Sequence, residues 1–364
     1  MRGERWMSRA VRCLSAAAAV LAVAALLATS GCGQGSGSSA QSTVPATKAP
    51  AAQLGIDVYW HTPTDPAKAR GAAAPILNYV VGLHANSIAL AFPIFTDGAR
   101  PTRVYTDPAS TPDPATLGAL VAAAKARGLR VTVRPLIDET DISVTPGQWR
   151  GSIVPADADA WFASYRSVLD PYLAAAQTVH ADEFVLGAEL NSLIHAPQWQ
   201  GVYTDAAARF HGELSYADNW DTWARGEAPP AIPTIGLDAY PPVDLPDTAT
   251  VGELTTAWTA WLQHRSAATL AATVIQEVGI PAQPGVFKTP YVWGVSGAPI
   301  TPAIQQNWFA AACQSARSLG MPGLYYWSVD STDPLNGHSD SPGSFVGRGD
   351  SAIKQCFADP WNAA

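Results

Sequence analysis

Residues 114–136 read PATLGALVAAAKARGLRVTVRPL, an amphipathic helical stretch over 114–127 followed almost at once by an apolar run rich in β-formers. Gly128 lies between the two parts, where a left-handed stop to the helix is expected. The same alternation of helical stretches with β-rich runs extends along the chain. It is the pattern of βα units that close on a parallel sheet.

Eight such units follow one another, and their strands are apolar enough to be buried on both faces. Further helices are predicted over residues 157–179, 251–264 and 302–319, with Gly320 as a second helix stop. Eight units favour an α/β fold made of a single (β/α)8 TIM barrel over a doubly wound open sheet. The predicted strands are Leu54–Tyr59, Ser87–Phe92, Arg130–Leu136, Glu183–Ala188, Leu214–Ala217, Thr234–Ala239, Thr273–Gln276 and Gly323–Trp327.

The N-terminus has the three zones of an export signal. Four arginines among the first twelve residues precede an apolar run at 16–28, and small residues then lead into Cys32. The run is shorter than the roughly 20 residues that span a bilayer, and the pattern is typical of a bacterial lipoprotein signal. We expect residues 1–31 to be removed and Cys32 to carry a lipid that anchors the protein at the outer face of the cytoplasmic membrane. The alternative is an ordinary signal and a secreted protein.

The segment after the signal predicts a tether. Residues 32–51 consist mostly of Gly, Ser, Thr, Pro, Ala and Gln, which bury too little apolar surface to offset the entropy of ordering. Residues 52–364 then form one folded domain, an ordinary length for a (β/α)8 barrel of about 250 residues or more.

Charge and aromatic content narrow the class of partner. Removing residues 1–31 takes away four arginines and one glutamate and changes the formal charge from −8 to −11. This negative net charge argues against nucleic acid as the binding partner. The 13 tryptophans and 11 tyrosines supply flat faces on which sugar rings stack. We expect a neutral polysaccharide or oligosaccharide as the partner, membrane contact through the lipid anchor alone, and no obligate protein partner.

The two cysteines of the predicted domain are Cys313 and Cys356. In an exported, oxidising location they predict a disulfide, with two separate buried thiols as the alternative. The sequence contains no His-Glu-x-x-His and no Cys/His cluster at metal-ligand spacing, so neither a metal nor an organic cofactor is predicted.

Two glutamates follow predicted strands at the end where (β/α)8 enzymes have their active site. Strand four reads EFVLGAELN over 183–191, with Glu189 at the far end, and strand seven reads TVIQEVG over 273–279, with Glu277 after the apolar run. Retaining glycosidases need two carboxyl groups about 5–5.5 Å apart. Glu189 and Glu277 are therefore the predicted catalytic pair. The alternative is that each glutamate only caps the helix that follows.

Other polar and aromatic residues at strand ends are predicted substrate contacts. The aromatic of strand eight is expected to form the floor under the sugar, and the phenol after strand six is expected to contact the nucleophile. These residues are Trp60, Asp138, Asn219, Trp220, Asp238, Tyr240 and Trp327.

Short segments across the mature domain match one family pattern. They are Gly82-Leu-His-Ala-Asn-Ser87, Trp149-Arg150-Gly151, Asp159-Ala-Trp161-Phe-Ala-Ser-Tyr165, GAEL at 187–190, LSYA at 214–217, IGLDAY at 235–240 and EVG at 277–279. In these segments the chain resembles glycoside hydrolase family 113, a clan A family whose described members are β-mannanases.

The resemblance implies roles for particular residues. Glu189 matches the acid/base and Glu277 the nucleophile, and Trp149 and Arg150 join the expected substrate contacts. The sequence departs from the family pattern at Leu136, where a histidine is usual, and at Ile280, where an aromatic is common.

We therefore expect endo-acting, retaining hydrolysis of β-1,4-mannan or glucomannan. The two departures leave a β-glucan or β-glucoside as an alternative substrate. Transglycosylation on the same residues is a second alternative. A third, from another class, is a surface lipoprotein that binds glycan without cutting it.

Overall fold

The computed structural model of the chain describes residues 52–337 and 339–361. The predicted signal at 1–31, Cys32 and the predicted tether lie outside the described residues, so these remain predictions, as does the start of the domain. Among the described helices none is both long and apolar enough to cross a membrane.

Eight parallel strands close into a barrel. Neighbouring strands pair in chain order around the ring, and β1 pairs with both β2 and β8 to complete it. The predicted (β/α)8 barrel is therefore confirmed. The strands are β1 Gln53–Tyr59, β2 Ser87–Thr96, β3 Arg130–Ile137, β4 Glu183–Ala188, β5 Glu213–Asn219, β6 Thr234–Asp238, β7 Ile275–Val278 and β8 Gly323–Asp330.

Every strand except β4 differs from the sequence prediction by one to four residues at an end, and neighbouring contacts explain two of these differences. Strand β2 extends to Thr96 because its end pairs antiparallel with a two-residue strand, Val104–Tyr105. Strand β7 begins two residues later than predicted. Thr273 ends the preceding helix instead, since its N–H donates to Leu270 O and its hydroxyl to Thr269 O. Glu277 consequently lies within the strand and not after it.

Nine helices are found among the described residues, and most of them cover the outside of the barrel. Asp113, Asp157 and Ser266 each accept a backbone N–H at a helix start, and Thr250 forms a capping box with Glu253. The helices are α1 Pro66–Gly82, α2 Pro114–Lys125, α3 Ala158–Thr178, α4 Trp199–Arg209, α5 Trp220–Arg225, α6 Val251–Leu262, α7 Ala267–Ala272, α8 Pro302–Ser318 and α9 Asp350–Ala358.

The predicted helix stops are confirmed. Gly128 and Gly320 both have a positive φ, 76° and 70°, after α2 and α8 respectively. Only glycine adopts this left-handed backbone without steric cost. The chain therefore turns at these points from the outer helices back into the inner strands β3 and β8.

The main apolar core lies between the strands and the outer helices. Large rings from the helices, among them Trp161, Trp258 and Trp308, are fully buried there. Many of the tryptophans therefore belong to the core. Only rings that face the barrel mouth are available to bind sugar.

The predicted disulfide is confirmed between Cys313 in α8 and Cys356 in α9, with the two Cα atoms 6.0 Å apart. Both residues are buried in the layer between helices and barrel. The bond joins the last helix of the described chain to the helix that precedes β8.

Replacing both cysteines with alanine should lower the free energy of unfolding by about 4 kcal/mol, because a cross-link across a sequence separation of 43 residues restricts the unfolded chain. Urea unfolding of wild type and the C313A/C356A variant measures the difference. Adding a reductant should lower the free energy of unfolding of the wild type to that of the variant and should leave the value for the variant unchanged. Two free thiols in the non-reduced wild type would contradict the bond.

Candidate active site

The two predicted catalytic glutamates lie at the C-terminal mouth of the barrel, on β7 and just after β4. Glu189 has a φ of 56°, in the left-handed region that non-glycine residues rarely adopt. The turn is held from both sides, since Glu189 N–H donates to Ala217 O at 3.0 Å and Leu190 N–H donates to the Tyr216 hydroxyl at 3.1 Å. Strain of this kind is concentrated at functional sites.

Both carboxylate oxygens of Glu277 accept a hydrogen bond. Arg134 Nη2 donates to Oε1 at 2.7 Å and the Tyr240 hydroxyl donates to Oε2 at 2.6 Å. Burial, and then the charge of Glu277, raise the pKa of Tyr240 well above its usual range, so the phenol keeps its proton and remains a donor. The predicted contact between the strand-six phenol and Glu277 is thus present.

Arg134 is the cation at the centre of the site. Its side chain is 1% exposed, and Nη2 also donates to Asp238 Oδ2 at 2.6 Å. Burial alone would lower the pKa of Arg134, but the neighbouring carboxylates Asp238, Glu277 and Asp57 outweigh it and raise the pKa above its usual range. The guanidinium therefore stays charged in the barrel interior.

Carboxyl groups outnumber cations around Arg134. Asp57 and Asp238 are fully buried, and burial raises the pKa of each well above the usual aspartate value despite the opposing charge of Arg134. Neither oxygen of Asp57 has a hydrogen-bond partner among the described residues. The guanidinium of Arg134 is already bonded to Asp238 and Glu277 and does not bond to Asp57. Asp57 is therefore more stable as the neutral acid.

Glu189 has a different environment from Glu277. Burial raises the pKa of Glu189 to about 7, with the charge of Arg150 opposing the shift and that of Glu277 adding to it. Arg150 Nη1 is 3.6 Å from Glu189 Oε2, beyond hydrogen-bond distance, and its Nε donates to Glu139 Oε1 at 3.0 Å. Because Glu139 is its nearer partner, Arg150 only partly stabilises an ionised Glu189.

Two aromatic rings and an apolar patch form the floor of the mouth. Tyr59 at the end of β1 and Trp327 in β8 are both partly buried, with ring centroids 6.0 Å apart. The Tyr59 hydroxyl donates to Asp138 Oδ2 at 3.3 Å. Beneath them lies a small cluster separate from the main core, formed by Ala91, Leu136, Val185, Ala188 and Ala217.

The loops around the mouth carry the remaining predicted contacts. Trp149 and Arg150 are partly buried in the loop between β3 and α3. Asn219 ends β5, and its amide donates to Asp221 Oδ1 at 2.8 Å. The next residue, Trp220, stacks on Tyr291, with centroids 5.1 Å apart and ring planes 7° from parallel.

Three predicted substrate contacts have a different environment from the one expected. Trp60 is 1% exposed, its indole N–H donates to Pro63 O, and it packs in the main core, so it is not available to a sugar. A tryptophan directly after a strand can equally turn outward under the first helix, which is what occurs here. Asp238 and Tyr240 are buried and contact Arg134 and Glu277, so they position the site from below its surface.

Several site residues were not predicted from the sequence as contacts. They are Arg134, Tyr59, Glu139, Gln276 and Tyr291. Arg134 had a readable signal, since a charged residue inside an apolar strand is costly unless it is paired. Glu139 and Tyr291 belong to loops, and Tyr59 and Gln276 are uncharged strand residues, so the sequence gives no pairing for any of the four. No group of three or more His, Cys, Asp or Glu side chains within 52–337 and 339–361 is arranged to hold a metal.

Known proteins similar to this chain indicate its family and share its fold. The model of Glycoside Hydrolase Family 113 matches residues 61–340. A solved GH113 β-1,4-mannanase complex is 17% identical with a TM-score of 0.71, and the match covers 85% of this chain and 100% of that chain. A GH113 β-mannanase from Alicyclobacillus acidocaldarius in complex with ManMIm is 18% identical with a TM-score of 0.68, covering 85% and 97%. A search of curated proteins gave no match. At these identities the likeness to solved structures shows the fold.

Replacing Arg134 with methionine should lower the free energy of unfolding by about 3–5 kcal/mol near neutral pH, because it leaves buried carboxylates without their cation. The loss should shrink toward acidic pH, where those carboxyls take up protons. Urea unfolding at several pH values measures it. Arg70→Gln, at an exposed position on α1, is the control and should change stability by no more than about 0.5 kcal/mol. Equal stability of Arg134→Met and wild type at neutral pH would contradict the role of Arg134.

Proposed function

Because the chain belongs to glycoside hydrolase family 113, we propose that it hydrolyses β-1,4-mannan or glucomannan within the chain and with retention of configuration, using Glu277 as nucleophile and Glu189 as acid/base. One observation carries the assignment of roles. Glu277 accepts two hydrogen bonds that fix the orientation of its carboxylate. Burial instead raises the pKa of Glu189 to about 7, which favours its protonated, acidic form.

In the first step a Glu277 oxygen forms a bond to the anomeric carbon while the glycosidic C–O bond breaks. The departing oxygen takes the proton of Glu189. Arg134 and Tyr240 keep the carboxylate of Glu277 oriented throughout, and both donors are themselves fixed by burial. This positioning lowers the barrier, because little orientational freedom is left to lose.

In the second step water replaces the leaving group. Glu189, now ionised, accepts a proton from the water as its oxygen attacks the anomeric carbon, and the bond between the sugar and Glu277 breaks. Arg150 partly compensates the charge of Glu189 between the two steps from 3.6 Å. The site returns to its starting protonation state without any other participant.

The proposed substrate rests on the family and on the floor of the mouth. The GH113 enzymes similar to this chain in structure are described as β-mannanases. Trp327 and Tyr59 supply faces on which a sugar ring stacks, and Leu136 makes the floor beneath them apolar. Since Leu136 replaces a histidine usual in the family pattern, hydrolysis of mannan, glucomannan and β-glucans should be compared directly. Cleavage of β-glucan alone would overturn the proposed substrate.

We also propose that the enzyme works outside the cytoplasm, attached through Cys32. The export pattern of residues 1–31 supports this location. A polymeric substrate fits it, since a polysaccharide cannot cross the membrane to reach a cytoplasmic enzyme.

Glu277→Ala and Glu189→Ala should lose activity in different ways. The first removes the covalent path, so turnover should fall by several orders of magnitude on every substrate, and azide should yield a glycosyl azide of inverted configuration. Glu189→Ala should lower turnover most on natural substrates. An activated aryl glycoside should still form the covalent intermediate, and azide should then give a product of retained configuration. Kinetics and NMR of the azide products distinguish the two.

The matched control for these variants is Glu253→Ala, an exposed glutamate of the α6 capping box, which should keep wild-type turnover. Inverted product from the wild type, or equal losses for both variants on natural and activated substrates, would show that the roles are wrong. Near-normal activity in either alanine variant would exclude the mechanism.

Activity on polymer should fall as pH rises through about 7, because Glu189 must be protonated to assist the leaving group and burial raises its pKa to about that value. Arg150→Met removes a charge that lowers the pKa of Glu189, so this alkaline limb should move to higher pH, even though Glu277, Glu139 and Arg134 remain nearby. Profiles of kcat/KM against pH for wild type, Arg150→Met and the Arg70→Met control measure the shift. Movement to lower pH in Arg150→Met would contradict the assignment.

A further inference from the structure

The loop between β7 and α8, residues 279–301, carries two exposed aromatic rings beside the mouth. We propose that Trp220, Tyr291 and Trp293, together called the rim platform, bind sugar residues of the polysaccharide at a distance from the bond that is cut. This inference rests on the proposed function, because it assigns the polymer of that reaction to a second region of the surface. It adds Tyr291 and Trp293 to the contacts predicted from the sequence.

The exposure of these rings is unusual for this protein. Trp293 is 74% exposed and Tyr291 is 48% exposed, whereas Trp161, Trp258 and Trp308 are fully buried. Val295 and Ile300 on the same loop are exposed as well. A cluster of exposed apolar side chains on one loop marks a binding surface more often than chance.

The loop that presents Trp293 is held in place from below. Gln283 is buried, and its amide Nε2 donates to Val295 O at 3.0 Å and to Ala298 O at 2.9 Å. Its Oε1 accepts the N–H of Val295 at 2.7 Å. One buried amide therefore fixes the backbone on the C-terminal side of Trp293, so little backbone freedom is lost when a ligand binds.

The rim platform lies on segments that follow β5 and β7, and β7 is the strand that carries Glu277. Trp220 directly follows β5 as the first residue of α5, and its stacking on Tyr291 joins the start of α5 to the loop after β7. Strand β6 lies between those two strands in the barrel, and Tyr240 follows it and donates to Glu277. A glycan chain leaving the catalytic glutamates on this side of the mouth therefore passes the stacked pair.

The chemistry of the rim platform suits a neutral glycan. Its rings offer flat apolar faces of the kind that stack on sugar rings. Lys288 is the one charged residue of the loop 279–301. It pairs with Asp244 of the loop after β6 at 2.7 Å, so the loop presents no unpaired charge to an ionic ligand. The occupant is accordingly the β-linked polysaccharide substrate itself and not an anionic polymer.

Trp293→Ala and Tyr291→Ala should each lower kcat/KM on β-mannan by about 3- to 10-fold, mainly through KM, since one stacking face is lost. The loss on a short aryl mannoside, which does not reach the platform, should be several-fold smaller. Trp293→Phe keeps a flat ring and should recover most of the polymer activity. Val81→Ala, at an exposed apolar position on the outer helix α1, is the control and should match wild type on both substrates.

Binding without turnover provides the second measurement. Glu277→Ala should be retarded in a native gel that contains β-mannan, and adding Trp293→Ala should reduce the retardation. Equal losses on polymer and short substrate, or unchanged retardation, would overturn the rim platform. Absence of turnover by the wild type on both substrates would instead overturn the proposed function, so the two failures are distinguishable.

Discussion

The ion pairs of Arg134 are the interactions on which the rest of the site depends. A guanidinium enclosed by the barrel is tolerated only with carboxylate partners, and Asp238 and Glu277 accept from the same Nη2 at 2.6 and 2.7 Å. The pairing of Arg134 with the carboxylates has two effects. It keeps a cation in the interior, and it holds one oxygen of Glu277 at a fixed point at the barrel mouth.

A second polar layer lies below Arg134 and supports it. Glu183 accepts from Ser215 and Gln276 on one oxygen and from Arg130 and Thr132 on the other. Gln276 Oε1 in turn accepts from Arg134 Nη1 at 3.4 Å. Gln276 therefore joins the layer near the strand starts to the layer at the mouth. The barrel interior therefore contains a connected polar column, while the main apolar core lies outside the barrel beneath the helices.

This arrangement gives two glutamates of one chain different chemical character. Glu277 faces two fixed donors. Glu189 lies on a strained turn, and the one cation within 4 Å of it among the described residues, Arg150, is shared with Glu139. The difference arises from neighbours supplied by β3, by the segment after β6 and by the loop after β3. The residues next to each glutamate in the sequence do not produce this difference. Opposed environments of this kind are how one fold provides an acid and a nucleophile at the same pH.

The sequence by itself determined the features that repeat or lie close together along the chain. Strand and helix periodicity, the glycine stops at 128 and 320, and the position of Glu189 at the end of β4 were all predicted correctly, since each depends on local pattern. The disulfide was also predicted, because two cysteines in one domain allow one pairing. The β7 boundary was missed by two residues because the capping of α7 extended over Thr273.

Only the tertiary structure decided which side chains meet and which face solvent. Trp60 and Trp293 look alike in sequence, yet one is packed under the first helix and the other projects from a loop held by Gln283. Arg134 and Glu277 are brought together from strands far apart in the chain, across the closed barrel. Burial and pairing are sums over neighbours from many segments, so no single segment encodes them. Strand periodicity, by contrast, is encoded within each segment.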